Sequence, residues 1–85
     1  MNNGEEPIGV EDALIAAEKF ILDRHPYARN IAFERAVLKT YGNQQVYELA
    51  GHCMLVRWLN AAGEKRLCEI KVDAYSADII GCHGM

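Results

Sequence analysis

The sequence predicts a small α+β domain in which one N-terminal helix packs on a three- to four-stranded antiparallel sheet, in the order α-β-β-β. Three observations carry that expectation. Apolar residues recur at steps of three and four near the N-terminus, Pro26 interrupts them, and alternating apolar and polar residues follow as far as Ala74.

The helical pattern runs from Val10 to Arg24. Val10, Ala13, Leu14, Ala17, Phe20 and Ile21 fall on one face, and Glu11, Asp12, Glu18, Lys19 and Asp23 on the other. Glu11 and Asp12 in the first turn and Arg24 in the last complement the helix dipole. Pro26 has no N–H to donate and disfavours the α conformation at His25, so the helix ends there.

Three strands are expected over residues 30–41, 45–59 and 65–74, divided by Gly42-Asn43 and by Ala61-Ala62-Gly63-Glu64. Residues 78–82, with Ile79 and Ile80, extend the sheet or fold back on it. Residues 1–9 are nearly devoid of apolar side chains and read as a mobile tail, leaving residues 10–85 as a single domain.

Register follows from keeping the faces unmixed. Pairing Asn60 with Lys65 sets Cys53 opposite Val72, Leu55 opposite Ile70 and Arg57 opposite Cys68, and lines the helix side with Tyr47, Leu49, Cys53, Leu55, Cys68, Ile70 and Val72. The same pairing sets His52 opposite Asp73, a local His–carboxylate contact. Pairing Tyr41 with Gln44 in the first hairpin turns Ala36 and Leu38 toward the helix and Ile31, Phe33 and Val37 away from it. It also turns Glu34 inward, and a β-bulge in the first strand would relieve that conflict. Without such a correction, Ile31, Phe33, Val37, Met54, Val56 and Trp58 form an apolar patch on the far side of the sheet, which makes them the candidate interface.

Composition limits the classes of function. The chain has 85 residues, 51% hydrophobic and 25% charged, enough for one core, since a domain this small buries only about 60–65% of its unfolded surface. A net charge of −3 and scattered basic residues give no field for a polyanion, so nucleic acid is not an expected partner. No apolar run approaches the roughly 18 residues of a membrane span, and Glu5 and Glu6 stand where a secretory signal needs basic residues; a cytoplasmic protein that does not engage membranes is expected.

No catalytic, cofactor or metal site is predicted. Cys53, Cys68 and Cys82 are odd in number and form no C-x-x-C, so buried thiols acting as small hydrophobes are expected. His52-Cys53 and Cys82-His83 pair thiol with imidazole, but neighbours on a strand point to opposite faces. Phosphate-loop, dinucleotide, metalloprotease and esterase motifs do not occur.

The stretch Cys68-Glu69-Ile70-Lys71-Val72-Asp73-Ala74-Tyr75-Ser76-Ala77-Asp78-Ile79-Ile80-Gly81 resembles the PepSY family, in which a strand ending V-D-A runs into an x-T-G-E turn and a short apolar segment. Ser76-Ala77 stands here in place of Thr-Gly. The helix followed by antiparallel strands also resembles the cystatin fold. Inhibitory cystatins carry Q-x-V-x-G in the first hairpin loop, whereas this chain has Gln45-Val46-Tyr47-Glu48-Leu49 with glycine at Gly51, and its Trp58 lacks the preceding proline of the cystatin hairpin. The leading expectation is a non-enzymatic binding or regulatory module that contacts a protein partner or a second copy of itself. The resemblances imply an alternative, a peptidase inhibitor presenting the loops at residues 41–45 and 60–64.

Overall fold

A computed structural model describes residues 6–56 and 63–84. The element order is α1 (Val10–Arg24), β1 (Ala28–Tyr41), β2 (Gln44–Leu55), β3 (Glu64–Asp73) and β4 (Ile79–His83). The four strands form one antiparallel sheet in the order β1-β2-β3-β4, so the segment around Ile79 and Ile80 does extend the sheet.

The helix occupies the expected residues because its ends are set locally. Gly9 caps it without a side-chain bond, so Glu11 and Asp12 supply the favourable charge at the N-terminus. At the other end His25 leaves helical geometry ahead of Pro26, its N–H bonded to the Ile21 carbonyl at 2.7 Å, and Arg24 lies over the Phe20 ring at 5.2 Å. Ala13, Ala17 and Ile21 are wholly buried, and the two alanines let the helix axis approach the sheet closely. Among the described residues no helix is long and apolar enough to cross a membrane.

All seven residues expected beneath the helix are buried there: Tyr47, Leu49, Cys53, Leu55, Cys68, Ile70 and Val72. The register between β2 and β3 differs, however. Tyr47 lies opposite Val72, Leu49 opposite Ile70 and Cys53 opposite Arg66, a displacement of six residues from the expected pairing. An even displacement leaves every side chain on its own face, so alternation cannot detect it. The strands part after Leu55 rather than at a tight four-residue loop. Residues 57–62, which include Arg57, Asn60 and Trp58, lie outside the described residues.

The first hairpin closes as expected, with Tyr41 opposite Gln44. Gly42 takes φ +62° at the first central position of the two-residue turn, where a type II′ hairpin calls for glycine. Further along, the register of β1 against β2 slips twice, between Phe33 and Arg35 and between Arg29 and Ala32. The bulge expected from the inward-facing Glu34 therefore exists, and a second accompanies it at Asn30, whose φ is +55°. Each slip of one residue exchanges the two faces.

Ile31 and Phe33 are consequently corrected from the far side to the helix side, where both are half-buried against the core. Gly51 lies opposite Phe33, and a Cβ there would overlap the Ala32 carbonyl oxygen and sit 2.7 Å from the Phe33 Cα. The bulged strand rests directly on glycine backbone.

Ile8, within the expected tail, is tied to the sheet. Ile8 donates to the Ala74 carbonyl at 2.6 Å, accepts from the Tyr47 hydroxyl at 2.7 Å, and is half-buried against the core. The first five residues of the expected tail lie outside the described residues.

Candidate functional site

The sheet face away from the helix is covered by no element among the described residues. It divides into two halves of different chemistry.

Toward the Gly42 end it is a lattice of charges. Glu48 on β2 accepts a hydrogen bond from the Tyr41 hydroxyl of β1, and its carboxylate lies 3.4 Å from Lys39 Nζ and 4.0 Å from Lys71 Nζ of β3. Lys71 also sits over the Tyr41 ring at 5.9 Å. The Tyr41 hydroxyl, then Lys39 and Lys71, hold the Glu48 carboxyl below its ordinary range, and the same carboxylate pushes the Tyr41 phenol up. Val46, opposite Lys39 and Asp73, is only 2% exposed beside this lattice. In the middle of the sheet the small Ala50 leaves a shallow dish ringed by Arg35, Glu48, Glu69, Lys71 and His83.

The other half has an apolar centre, with Arg29 and Lys65 opposite Met54 and Glu69 two residues along β3 from Leu67. Met54 and Val56 are half-buried beside Gly63, and Leu67 on β3 is 69% exposed opposite His52. Of the six residues expected to form the patch, Met54 and Val56 stand together here, Val37 lies opposite Glu48 in the charged half, Ile31 and Phe33 belong to the core, and Trp58 lies outside the described residues. Leu67 was not among the six, although an isolated leucine between Lys65 and Glu69 on an otherwise charged face was visible in the sequence.

His52 faces Leu67, not Asp73, because of the six-residue displacement. Its Nδ1 is buried without a hydrogen bond and lies 3.4 Å from the carboxylate of Glu34, the residue extruded at the bulge. Asp73 instead organises the β3–β4 turn. It accepts from Gln44 Nε2 at 2.9 Å and from the backbone N–H groups of Tyr75 and Ser76 at 2.8 and 3.0 Å, and these bonds, the Gln44 amide first, hold its carboxyl below the usual range.

The three thiols lie on the helix side of β2, β3 and β4, while His52 and His83 are on the opposite face. Neither adjacent Cys–His pair can therefore converge on one ligand. Burial pushes the Cys53 and Cys68 thiols up, so neither is primed as a nucleophile. Among the described residues no group of three or more His, Cys, Asp or Glu is placed to hold a metal ion.

Comparison of the chain with family models, with curated proteins and with solved structures gives no match.

Proposed function

We propose that the chain is a non-enzymatic binding or regulatory module that uses the uncovered face of its sheet as a contact surface, with self-association as the simplest form. The observation that carries this reading is the apolar half of that face, where Leu67 is 69% exposed beside Met54 and Val56. Side chains of this kind on a face that no element covers among the described residues favour a macromolecular contact. The charged half supports it as well, since its carboxylate and ammonium groups already satisfy one another and would frame a polar rim. Sedimentation velocity over a range of concentrations tests the reading. Association that Leu67→Glu weakens is the expected result, and sedimentation that Leu67→Glu leaves unaltered removes self-association through this face.

One observation favours the inhibitor alternative. The Gly42-Asn43 turn, the β3–β4 turn and Ile8 are tied together at one end of the sheet by Gln44–Asp73, by the Tyr75 hydroxyl bonded to Gln45 at 2.9 Å, and by Tyr47–Ile8. A tip of three linked segments suits insertion into a cleft. In that reading the β3–β4 turn replaces the loop at residues 60–64 as companion to the first hairpin, because Glu64 pairs with Leu55 at the opposite end of the sheet. Ala77 takes φ +65° where PepSY-like turns carry glycine, which supports that resemblance. Lack of inhibition against a panel of cysteine and metallopeptidases would remove this alternative.

A further inference from the structure

The outer edge of β1 is the second exposed feature of the sheet. Among the described residues nothing pairs with it, and both bulges lie before Arg35, so the edge is regular only over residues 35–41. The midpoint of that run is Leu38, which points to the helix side beyond the reach of the helix and is 42% exposed.

We infer that this edge takes the same edge of a second copy, antiparallel, about a two-fold axis at Leu38, so that two four-stranded sheets join into one. Three features of the run converge on that register. First, centring on Leu38 pairs the whole regular run with itself and keeps both bulges outside the contact. Second, the charges fit: Arg35 meets the partner's Tyr41, a cation above a ring, and Lys39 meets the partner's Val37. Moving the axis to Val37 would set Arg35 against the partner's Lys39, and moving it to Lys39 would set that lysine against its own counterpart; both place like charges directly opposite. Third, the backbone is available. The residues flanking a two-residue hairpin turn exchange their bonds across it, so Tyr41, Lys39, Val37 and Arg35 bond toward β2, and Ala36, Leu38 and Thr40 direct N–H and C=O to the open edge. These are the residues the axis at Leu38 brings face to face, with the two leucines in contact and Ala36 beside the partner's Thr40.

Seven paired residues span about 23 Å, and such a contact buries less than the about 800 Å² per partner of a standard interface. The dimer is accordingly weak and depends on concentration. It uses a different surface from the apolar half of the outer face, so the two associations can be separated.

Sedimentation equilibrium on the full chain, carried up to about 1 mM, reads the association. In the Leu67→Glu background, which removes the outer-face contact, the expected result is a monomer–dimer equilibrium that adding Leu38→Lys abolishes, with circular dichroism showing both proteins folded. A second measurement fixes the axis. In a Cys82→Ser background, Leu38→Cys should give a covalent dimer with oxidised glutathione, because residues directly opposite lie about 5.5 Å apart at Cα. Tyr41→Cys should not, since the axis holds the two Tyr41 positions about 20 Å apart. A Leu67→Glu protein that stays monomeric, a dimer of it that survives Leu38→Lys, or crosslinking at Tyr41→Cys in preference to Leu38→Cys would each overturn the inference.

Discussion

Gly51→Ala is the substitution that most directly tests how the sheet is built. Gly51 sits on the helix side of β2 opposite Phe33, between the two bulges of β1, and a methyl group there would overlap the Ala32 carbonyl oxygen and lie 2.7 Å from the Phe33 Cα. An ordinary contact of that kind begins near 3.4 Å. Both obstructing atoms are backbone, so no side-chain rotation relieves the clash and β1 must withdraw by roughly 1 Å. Overpacking of this sort costs about 1–3 kcal/mol. Weakening the ladder at the adjoining Ala32–His52 and Phe33–Gly51 pairs adds about 1 kcal/mol for each hydrogen bond lost. A loss of about 3 kcal/mol lowers the melting temperature of a domain this size by about 12–24 °C. The control is Gly81→Ala, whose methyl group would meet only the Lys71 side chain at 3.9 Å and should change stability by less than about 0.5 kcal/mol. Calorimetry on both variants decides the matter. A Gly51→Ala protein melting within about 3 °C of the parent would show that the bulged strand does not rest on this glycine.

Two further outcomes follow from the β3–β4 turn and its surroundings. Ala77 holds φ +65°, a conformation that costs an L-residue about 1 kcal/mol or more, so Ala77→Gly should raise stability by about 0.5–1 kcal/mol after the added freedom of the unfolded chain is counted; an unchanged or lower urea midpoint refutes it. Asp73 and Glu48 both have folded-state pKa values below their unfolded ones, so their contribution is present above about pH 4–5 and is lost as pH falls through the folded values. Urea midpoints should therefore drop on acidification below about pH 5, and Asp73→Asn should flatten that drop; identical acid profiles for the parent and Asp73→Asn would show that the turn bonds do not discriminate the ionised carboxylate.

The helix was legible to the residue because two independent signals coincide, a 3.6-residue apolar period and a proline placed where the period ends. The helix-facing side of the sheet was legible for a similar reason, since alternation sorts side chains by parity, and all seven predicted core positions of β2 and β3 are buried. Parity is also why the register was not legible. A six-residue displacement preserves it, so Val72 could meet Cys53 or Tyr47 with the same faces buried. The first strand shows the opposite case. Glu34 facing inward announced one bulge, but a single bulge in a strand flips everything beyond it, and Ile31 and Phe33 moved from the proposed surface into the core as a result. Gly51 was the available signal, because a glycine within a strand pattern marks close backbone approach.

The exposed surfaces have one geometric origin. A helix of 15 residues is about 22 Å long, whereas the 14 residues of β1 extend about 46 Å, so a single helix shields roughly half the length of one sheet face. The chain covers part of the remainder with its own N-terminal segment, where Ile8 lies against Tyr47 and Ala74. Ala36 and Leu38 at the edge stay uncovered. On the other face no second helix exists among the described residues, and the two halves meet solvent differently. Around Glu48 the side chains carry charges that compensate one another on the surface, a state that water tolerates without a partner. Around Leu67, between the flanking Lys65 and Glu69, Met54 and His52 add hydrocarbon and an imidazole whose Nδ1 is already shielded from water. Removing the Leu67 half from water gains free energy, while removing the Glu48 half requires stripping water from an ammonium and a carboxylate. The footprint of a partner should therefore centre on Leu67 and Met54 and stop short of Glu48.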